Sequence, residues 1–544
     1  MQRPHRSLIN RVQRRVAVLG GQLPPRSRLM VRRVADRVEP LVTGGLEAAT
    51  VKASRAELVT SFDAWQIIAE LATVLTETLT SSRIEVARLE RAGIVTLAVP
   101  REEREKAIAA IQQSSQTQAW WAVGRGNRAV SLADAAPASL MVDVLPVFRL
   151  LAAPDGTVLS GPGLAVQLQF WRTTGSKVPR PDGGLFPRGT RIAPDRNGVA
   201  PYIIPEQWRA AQEDPEHRVR ADAPPHLLSV AEPIDVVYTW VDGSDPAWQA
   251  RRFAMDPQAG KLAADALDPA RTTNRDELRY SLRSLAMYAG WVRHVWLVTD
   301  GQVPSWLADH PKLTVVRHEE IFTDPSALPT FNSHAIESQL HHIDGLSEHY
   351  LYLNDDFFFG RPVQPELFFH GNGIAKFSLS PIAIDREPEP GPMNGAMLAA
   401  RKGREFLEQD LGRTVTHRMQ HVPHAHQRST LAAFEEQHAD LFDQVAHSRL
   451  RNSADLSIAS DLGHWYAYAR GRAVPAKVAF RYVDIGSPLA AEYFETLLTR
   501  RDQDCFCLND VGGYPSPVDD SAVSEFLNRY FPVPSPFEHP EAAD

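Results

Sequence analysis

The stretch Tyr350-Leu-Tyr-Leu-Asn-Asp-Asp-Phe357, with Phe331-Asn-Ser-His-Ala-Ile-Glu-Ser338 shortly before it, decides the fold prediction. The later stretch is an apolar strand pattern that ends in two adjacent carboxylates, Asp355 and Asp356. The earlier stretch predicts a helix on which Glu337 and His341 lie four residues apart on one face. Open α/β sheets place ligands and metals at the carboxyl ends of their strands. The two stretches therefore indicate a sheet-edge site that suits a Mg²⁺-bound diphosphate.

Strand and helix patterns alternate through the second half of the chain, from residue 234 onward. The predicted strands are 234–241, 294–299, 313–316 and 349–353, and the predicted helices are 276–288 and 332–343. This alternation predicts an α/β fold with a mainly parallel sheet and helices on both faces. Residues 404–470 read as largely helical and rich in histidine, which predicts a helical insertion in that fold.

Three segments of different character precede this α/β part. Residues 1–55 read as a basic arm, residues 56–173 as a small α+β module, and residues 174–232, rich in Pro, Gly and Arg, as a linker. We therefore expect a catalytic domain over 233–540, with a helical subdomain at about 400–475. The module itself shows no catalytic constellation in its sequence.

Charge and cysteine content limit the classes of partner and compartment. A net charge of −8 over 544 residues gives no reason to expect nucleic-acid binding. The only cysteines, Cys505 and Cys507, form neither a disulfide framework nor a zinc motif, and two reduced thiols indicate a cytoplasmic protein. No apolar run is long enough to span a membrane. The basic arm predicts either a peripheral contact with anionic lipid on the inner face of the cell membrane or a solvated tail.

Two further patterns near the start of the α/β part indicate ligand contacts. Asp242 and Gly243 form a turn at a strand end, where Gly243 would admit a ligand close to the backbone and Asp242 could accept from a ribose or sugar hydroxyl. Arg275, Arg279 and Arg283 recur every four residues on the predicted helix and make a basic ridge that can clamp a phosphate. The plain alternatives are an ordinary turn for the first pattern and a salt-bridged, solvated helix face for the second.

The histidines between residues 417 and 426 are the candidates for a proton acceptor. They have no cysteine or acid partners at zinc spacing, so a metal site is not indicated for them. One of them could take the proton of an attacking hydroxyl, and the residues alone leave open which one. Arg449 and Arg451 follow these histidines. Arg451 and Asp455, four residues apart, indicate either an ion pair on one helix face or a clamp for charge in the transition state.

Four blocks of this sequence together resemble the Stealth family of sugar-phosphate transferases, over about residues 234–540. The blocks are Ile234–Asp245, Arg275–Asp356, about 417–460, and Cys507–Asp510 with Phe531–Phe537. The arrangement looks most like the actinobacterial exopolysaccharide phosphotransferases. The family also includes the catalytic part of the animal enzyme that tags lysosomal glycoproteins with N-acetylglucosamine-1-phosphate. The resemblance implies a nucleotide-sugar-transferase-like, Rossmann-like fold.

The resemblance further implies transfer of a hexose-1-phosphate from a nucleotide diphosphate sugar, here expected to be a UDP-sugar, to a hydroxyl of a saccharide. The partners would be that nucleotide-sugar donor and a polysaccharide or glycan acceptor, and the product a phosphodiester in a capsule or exopolysaccharide. The implied cofactor is Mg²⁺ or Mn²⁺. Two alternatives remain open: a metal-dependent glycosyltransferase, which would release UDP instead of UMP, and a non-catalytic carbohydrate-binding surface protein.

The expected roles of individual residues follow from the resemblance and from the patterns above. The catalytic positions are Glu337, Asp356, His424 and Arg451, with His421 and Arg449 as competitors of the last two. The metal positions are Asp355, Asp356 and Asp510. The substrate-binding positions are Asp242, Gly243, Arg275, Arg279, Arg283, His341 and Asn509. Because the animal enzymes carry Asn in place of Asp242, a direct chemical role for that carboxylate stays open.

Overall fold

The computed structural model describes residues 56–91, 93–116, 118–175, 178–180, 183–194, 200–219, 226–255, 273–384, 395–452, 455–510 and 518–540. The basic arm predicted for residues 1–55, and with it the predicted membrane contact, lies outside these ranges. Within them, no helix has both the length and the apolar character that crossing a bilayer requires.

The amino-terminal part is an α+β module built on a mixed sheet. Its strands are β1 (Glu57–Leu58), β2 (Ala87–Arg91), β3 (Ile94–Pro100), β4 (Trp120–Val123), β5 (Ala129–Ser131), β6 (Val144–Arg149), β7 (Leu151–Ala152), β8 (Val166–Thr173), β9 (Arg191–Ile192) and β10 (Tyr202–Ile203). Its helices are α1 (Ala64–Ser81), α2 (Arg104–Ser114), α3 (Pro137–Leu140) and α4 (Pro205–Glu213). β8 is the centre of the sheet, paired with β3, β6 and β9, and α1 packs on this sheet against α2.

The segment expected to be a linker, residues 174–232, contributes to this module where the structure describes it. β9 and β10 extend the sheet from the end of β8, and α4 packs against β2. The physical reason is Trp208 of α4, which is buried, donates from its indole N–H to Glu85 at 2.8 Å and carries Arg191 over its ring. The limits of the predicted domains stay predictions.

The second part of the chain carries an α/β core. Its strands are β11 (Ile234–Thr239), β12 (Val295–Thr299), β13 (Leu313–Arg317), β14 (His349–Asn354), β15 (Phe357–Phe359), β16 (Ala375–Phe377), β17 (Leu379–Ala383), β18 (His417–Met419), β19 (His424–Gln427), β20 (Ala473–Pro475), β21 (Phe480–Asp484) and β22 (Cys505–Asn509). Its helices are α5 (Pro246–Phe253), α6 (Glu277–Tyr288), α7 (His318–Ile321), α8 (Ser333–Glu337), α9 (Gly395–Leu411), α10 (Arg428–Gln437), α11 (Ala439–Ala446), α12 (Gly463–Ala469), α13 (Ala490–Arg500) and α14 (Asp520–Tyr530), with a π-helical turn at Ile458–Leu462.

The central sheet runs in the order β13-β12-β11-β14-β19, and its pairs are parallel except for β14 with β19. Val236, Val237 and Tyr238 in the middle of β11 are fully buried, as expected for a parallel sheet covered on both faces. The predicted α/β fold with a mainly parallel sheet is confirmed. The carboxyl ends of β11, β12 and β14 meet at one edge, which is where such sheets bind ligands.

Residues 404–470 are largely helical, as predicted, but the histidine-rich stretch 417–427 interrupts the helices with the strands β18 and β19. β19 pairs antiparallel with β14, and His424 lies opposite Tyr352 in this register. All four residues of β19 are buried, and the strand covers the backbone edge that β14 would otherwise expose. A long-range pairing, rather than local helix propensity, therefore determines the conformation of this segment.

The helix predicted over 332–343 is shorter than expected, and this separates Glu337 from His341. α8 ends at Glu337, and a 3₁₀ turn over Leu340–His342 follows. In that turn, His341 and His342 each place Nε2 at 2.7 Å from one carboxylate oxygen of Glu435 in α10. Because of this contact with a distant helix, Glu337 and His341 do not share a helical face as predicted.

The carboxyl-terminal segment anchors α6 through a buried ion pair. Arg283 of α6 donates twice to Glu538, at 2.9 and 2.7 Å, and Arg279 donates to the same carboxylate at 2.6 Å. The side chains of Glu538 and Arg283 are almost fully shielded from solvent. Two arginines of the predicted ridge therefore contact an acid from the far end of the chain, and the ridge does not extend as one surface.

Replacing Glu538 by Ala should destabilise the protein strongly, because the buried guanidinium of Arg283 loses its counter-charge. Breaking a buried pair from one side costs about 3–5 kcal/mol in the free energy of unfolding. Urea unfolding followed by tryptophan fluorescence measures this loss. The control is Glu495→Ala, which removes an exposed contact with Arg529 (3.2 Å) and should cost less than about 1 kcal/mol. Equal losses for the two variants would contradict the anchoring role of Glu538.

Candidate active site

An open cavity of about 940 Å³ lies at the carboxyl ends of β11 and β14. Its volume is in the range typical of ligand sites. The predicted site residues that line it are Arg275, Glu337, Asp355, Asp356, His424, Arg451, Asn509 and Asp510. These residues come from segments that are far apart in the sequence, and the fold brings them to one edge of the sheet.

Three carboxylates, Glu277, Asp355 and Asp356, form one wall of the cavity, which we call the acidic wall. Asp355 and Asp356 follow β14, and Glu277 is the first residue of α6. Burial raises the pKa of Asp355 well above its usual range, and the charges of Glu277 and Asp356 raise it further. Burial also raises the pKa of Glu277, although the backbone N–H and the charge of Arg275 oppose this. The wall therefore concentrates negative charge away from water, which is the electrostatic environment of a cation site.

The surroundings of Asp356 fit a divalent cation. Its Oδ1 is buried and makes no hydrogen bond with any described residue. Its Oδ2 accepts from the thiol of Cys507, with Sγ at 3.1 Å, and lies 3.8 Å from Nε2 of His421. Asp356, His421 and Cys507 thus bring one potential ligand atom each to a common point. A cation there would satisfy the unpaired oxygen and offset the charge of the wall.

His421 and Cys507 were not found from the sequence as neighbours of Asp356. β22 pairs antiparallel with β15, and this places Cys507 opposite Phe357, the residue after Asp356. His421 packs its ring on Phe357, with the ring centroids 4.4 Å apart. Burial, followed by the Asp356 carboxylate, raises the pKa of Cys507 well above its usual range. Because no local spacing motif links these residues, only the strand pairing reveals them.

Asp510, which was expected to bind metal, is paired with Arg275. The Arg275 guanidinium donates to Asp510 at 2.8 Å and to Asp520 of α14 at 2.5 Å. Asn509, the other residue predicted in this block, donates from Nδ2 to the hydroxyl of Tyr482 at 2.6 Å. Arg275 therefore ties the end of β22 to the start of α6, at the rim of the acidic wall.

His424 faces the cavity as a neutral imidazole. Its Nδ1 is hydrogen-bonded to Nε2 of His464 in α12, at 3.0 Å, and the His464 ring is stacked on His426 at 4.4 Å. Burial lowers the pKa of His424 and of His464 well below the usual range, and the neighbouring histidines lower it further. Nε2 of His424 makes no hydrogen bond with a described residue, so a neutral ring with one free nitrogen can act as a proton acceptor.

Glu337 and Arg451 lie in the same cavity and are held by serine hydroxyls. Glu337 is buried and accepts from Ser457 at 2.7 Å and from Ser460. Arg451 donates from Nη2 to Ser333 at 2.6 Å. Hydroxyl partners fix the Glu337 carboxylate without cancelling its charge. Arg449, the competitor of Arg451, instead donates to the backbone carbonyl of Ser326 and does not line the cavity.

Several predicted residues are not among those that line the cavity. Asp242 accepts from the backbone N–H of Ser244 at 2.9 Å, and the Gly243 carbonyl accepts from Gln249 at 2.8 Å, so this turn is stabilised internally. It nevertheless directly follows Trp240 and Val241, which do line the cavity. The other residues placed elsewhere are His341, bound to Glu435, and Arg279 and Arg283, bound to Glu538.

Models of the conserved regions of Stealth proteins match four stretches of this chain. Conserved region 1 matches residues 232–254, conserved region 2 residues 271–377, conserved region 3 residues 420–468 and conserved region 4 residues 495–544. The acidic wall, the carboxyl-terminal anchor, and His421, His424 and His426 of the histidine segment fall within these stretches.

Curated relatives match over most of the chain. An exopolysaccharide phosphotransferase of Streptomyces coelicolor is 44% identical over 414 residues, which are 74% of this chain and 69% of the relative. The exopolysaccharide phosphotransferase CpsY of Mycobacterium tuberculosis is 39% identical over 409 residues, 74% of each chain. Among solved structures, the galactosyltransferase LgtC matches with 9% identity and a TM-score of 0.30, over 55% of this chain and 96% of that chain.

Replacing Asp356 by Asn should weaken Mn²⁺ binding at least about tenfold, a loss typical even of an outer-shell partner. Calorimetric titration of the full chain with MnCl₂, without nucleotide, measures the affinity. Because the pKa of Asp355 is raised, binding displaces a proton, and the affinity should increase with pH above the usual carboxylate range. The control is Asp309→Asn, which changes an exposed carboxylate outside the cavity. Equal affinities for wild type and Asp356→Asn would exclude a cation at this wall.

Proposed function

The chain belongs to the Stealth protein family, as its sequence resemblance had indicated, and on this basis we propose that it is an exopolysaccharide phosphotransferase. The proposed reaction transfers a hexose-1-phosphate from a nucleotide diphosphate sugar, specifically a UDP-sugar, to a hydroxyl group of a saccharide acceptor. The names of the relatives support an exopolysaccharide as the acceptor class.

The observation that carries the proposal is that an acidic wall, a neutral histidine and an arginine line one cavity. Asp355 and Asp356 belong to the wall, and Glu337, His424 and Arg451 line the same space. In phosphoryl transfer the protein takes little part in covalent chemistry. Its main tasks are to position the reactants and to neutralise charge. The residues around this cavity are of the types that this task requires.

In the proposed step, an acceptor hydroxyl oxygen attacks the β-phosphorus of the donor in line. A bond forms between that oxygen and the β-phosphorus, and the bond from the β-phosphorus to the oxygen that bridges the two phosphates breaks. UMP leaves with the bridging oxygen and its electron pair. The bond at the anomeric carbon of the hexose is kept, so the product is a phosphodiester.

His424 takes the hydroxyl proton at Nε2, because its Nδ1 is already engaged by His464 and its ring is neutral. Glu337, fixed by two serine hydroxyls, orients the attacking hydroxyl or serves as the alternative base. Arg451 and Arg275, which line the cavity, would offset charge on the phosphate oxygens. A divalent cation, Mg²⁺ or Mn²⁺, held by Asp355 and Asp356 would neutralise the diphosphate when bound.

Incubation of the protein with a panel of UDP-hexoses, Mg²⁺ and saccharide acceptors should release UMP, measured by ion-pair chromatography. Replacing His424 by Gln should lower kcat by about 10²–10⁴, because the proton acceptor is lost. The control is His417→Gln, which changes a histidine of the same segment that does not line the cavity. Release of UDP instead of UMP would identify a glycosyltransferase and would refute the proposed reaction. An unchanged kcat in His424→Gln would show that His424 is not the proton acceptor.

A further inference from the structure

Arg418 and Asp461 are among the charged residues of the cavity that have no part in the proposed reaction. Arg418 belongs to β18 and Asp461 to the π-helical turn at Ile458–Leu462, and both line the cavity. π-helical turns are rare and occur frequently at functional sites. Neither residue follows a pattern that singles it out in the sequence.

Arg418 is desolvated without being paired. Its Nε is buried and makes no hydrogen bond with any described residue. Burial lowers the pKa of this guanidinium, against the smaller opposing effects of Asp461 and Tyr482. A buried N–H group without an acceptor costs free energy of folding. A ligand that supplies the missing acceptor explains this arrangement better than a contribution to stability does.

Asp461 is the neighbour of opposite charge. It is 8% exposed, and burial raises its pKa to about 7, whereas the charge of Arg418 lowers it. Its Oδ1 accepts a long hydrogen bond, at 3.4 Å, from the backbone N–H of Met419, and hydrogen bonding from the Trp465 side chain also lowers its pKa. The carboxylate and the guanidinium attract each other, yet no ion pair joins them in the described part of the chain.

Each residue of the pair has a neighbour that contacts the candidate active site. Ser460, which precedes Asp461, donates to Glu337. Tyr482, an electrostatic neighbour of Arg418, accepts from Asn509 at 2.6 Å. A ligand held by the pair is therefore close to the residues that the proposed reaction uses.

We infer that Arg418 and Asp461 form a subsite for a pyranose ring, in which neighbouring hydroxyl groups of one sugar bridge the guanidinium and the carboxylate. A hydroxyl group can donate to a carboxylate and accept from a guanidinium, so one sugar satisfies both residues. The two opposite charges offset each other, which favours a neutral sugar over a phosphate or a carboxylate. The inference depends on the proposed function in one respect, the source of the sugar. Under that function the sugar is either the hexose of the donor or part of the acceptor saccharide.

The test uses the full chain and two single variants, Arg418→Gln and Asp461→Asn. The matched controls are Arg413→Gln and Asp309→Asn, which change exposed residues that do not line the cavity. Calorimetry with Mg²⁺ measures the affinity for UDP and for UDP-glucose, UDP-galactose and UDP-N-acetylglucosamine. Saturation-transfer NMR measures contact with the methyl glycosides of the same three sugars. Thermal unfolding is recorded for every variant.

Two results are expected, depending on which sugar occupies the pair. If it is the donor hexose, both variants weaken binding of the preferred UDP-hexose about ten- to hundredfold and leave UDP binding unchanged. If it is the acceptor, UDP-hexose binding is unchanged and saturation transfer to the methyl glycosides is lost. In both cases the controls behave like wild type, and the melting temperature changes by no more than a few degrees, because the pair makes no ion pair to lose.

Three results would overturn the inference. An equal loss of UDP and UDP-hexose affinity would make Arg418 a phosphate contact. Unchanged binding of every sugar probe would leave the pair without a ligand. A large fall in melting temperature for both variants, with the controls unaffected, would make the pair structural. Since binding requires no turnover, a protein that binds sugar through this pair but releases no UMP would refute the proposed reaction and keep the subsite.

Discussion

Desolvated negative charge at the end of β14 is the constraint around which the rest of the site is arranged. Burial raises the pKa of Asp355 and of Glu277; the charge of Asp356 raises both further, and the charge of Glu277 adds to the shift of Asp355. Such a cluster repels itself and lowers stability unless a cation or protons offset it. Strongly perturbed carboxylates in a cavity of this size are typical of functional sites. The arrangement is therefore typical of a site that binds an anion together with a cation, and it is not explained by packing of the core.

Strand register is what turns this cluster into a complete site. β19 pairs with β14 so that His424 lies opposite Tyr352, and β22 pairs with β15 so that Cys507 lies opposite Phe357. A shift of either pairing by one residue would turn these side chains to the other face of the sheet. The buried pair of Arg283 with Glu538 fixes α6, and thereby Glu277, from the opposite direction. Backbone pairing thus places β19 and β22, and ion pairs of Arg283 and Arg275 place the start of α6 against them.

The sequence was most informative where periodicity reflects burial on both faces. The strands predicted at 234–241 and 349–353 are found at Ile234–Thr239 and His349–Asn354, because such apolar runs have few other ways to be buried. The errors share one cause, a partner far away in the sequence. Glu538 draws Arg279 and Arg283 away from the cavity, and Glu435 holds His341. No local sequence pattern encodes those contacts. The strand at 424–427 also depends on a distant partner, because it forms by antiparallel pairing with β14.

The π-helical turn at Ile458–Leu462 contributes a second group of polar side chains to the cavity, in addition to the acidic wall. Ser457, Ser460 and Asp461 come from this turn or directly precede it, and they reach Glu337 on one side and the surroundings of Arg418 on the other. Ser460 and Asp461 follow Ser457 by three and four positions, a spacing that keeps side chains on one side of a helical turn, and all three line the cavity. One wall of the cavity is therefore strongly anionic, and the wall near this turn carries balanced charges and hydroxyl groups. Under the proposed reaction, the anionic wall would take the diphosphate as a cation complex, and the balanced charges near the turn would suit a neutral sugar, from either the donor or the acceptor.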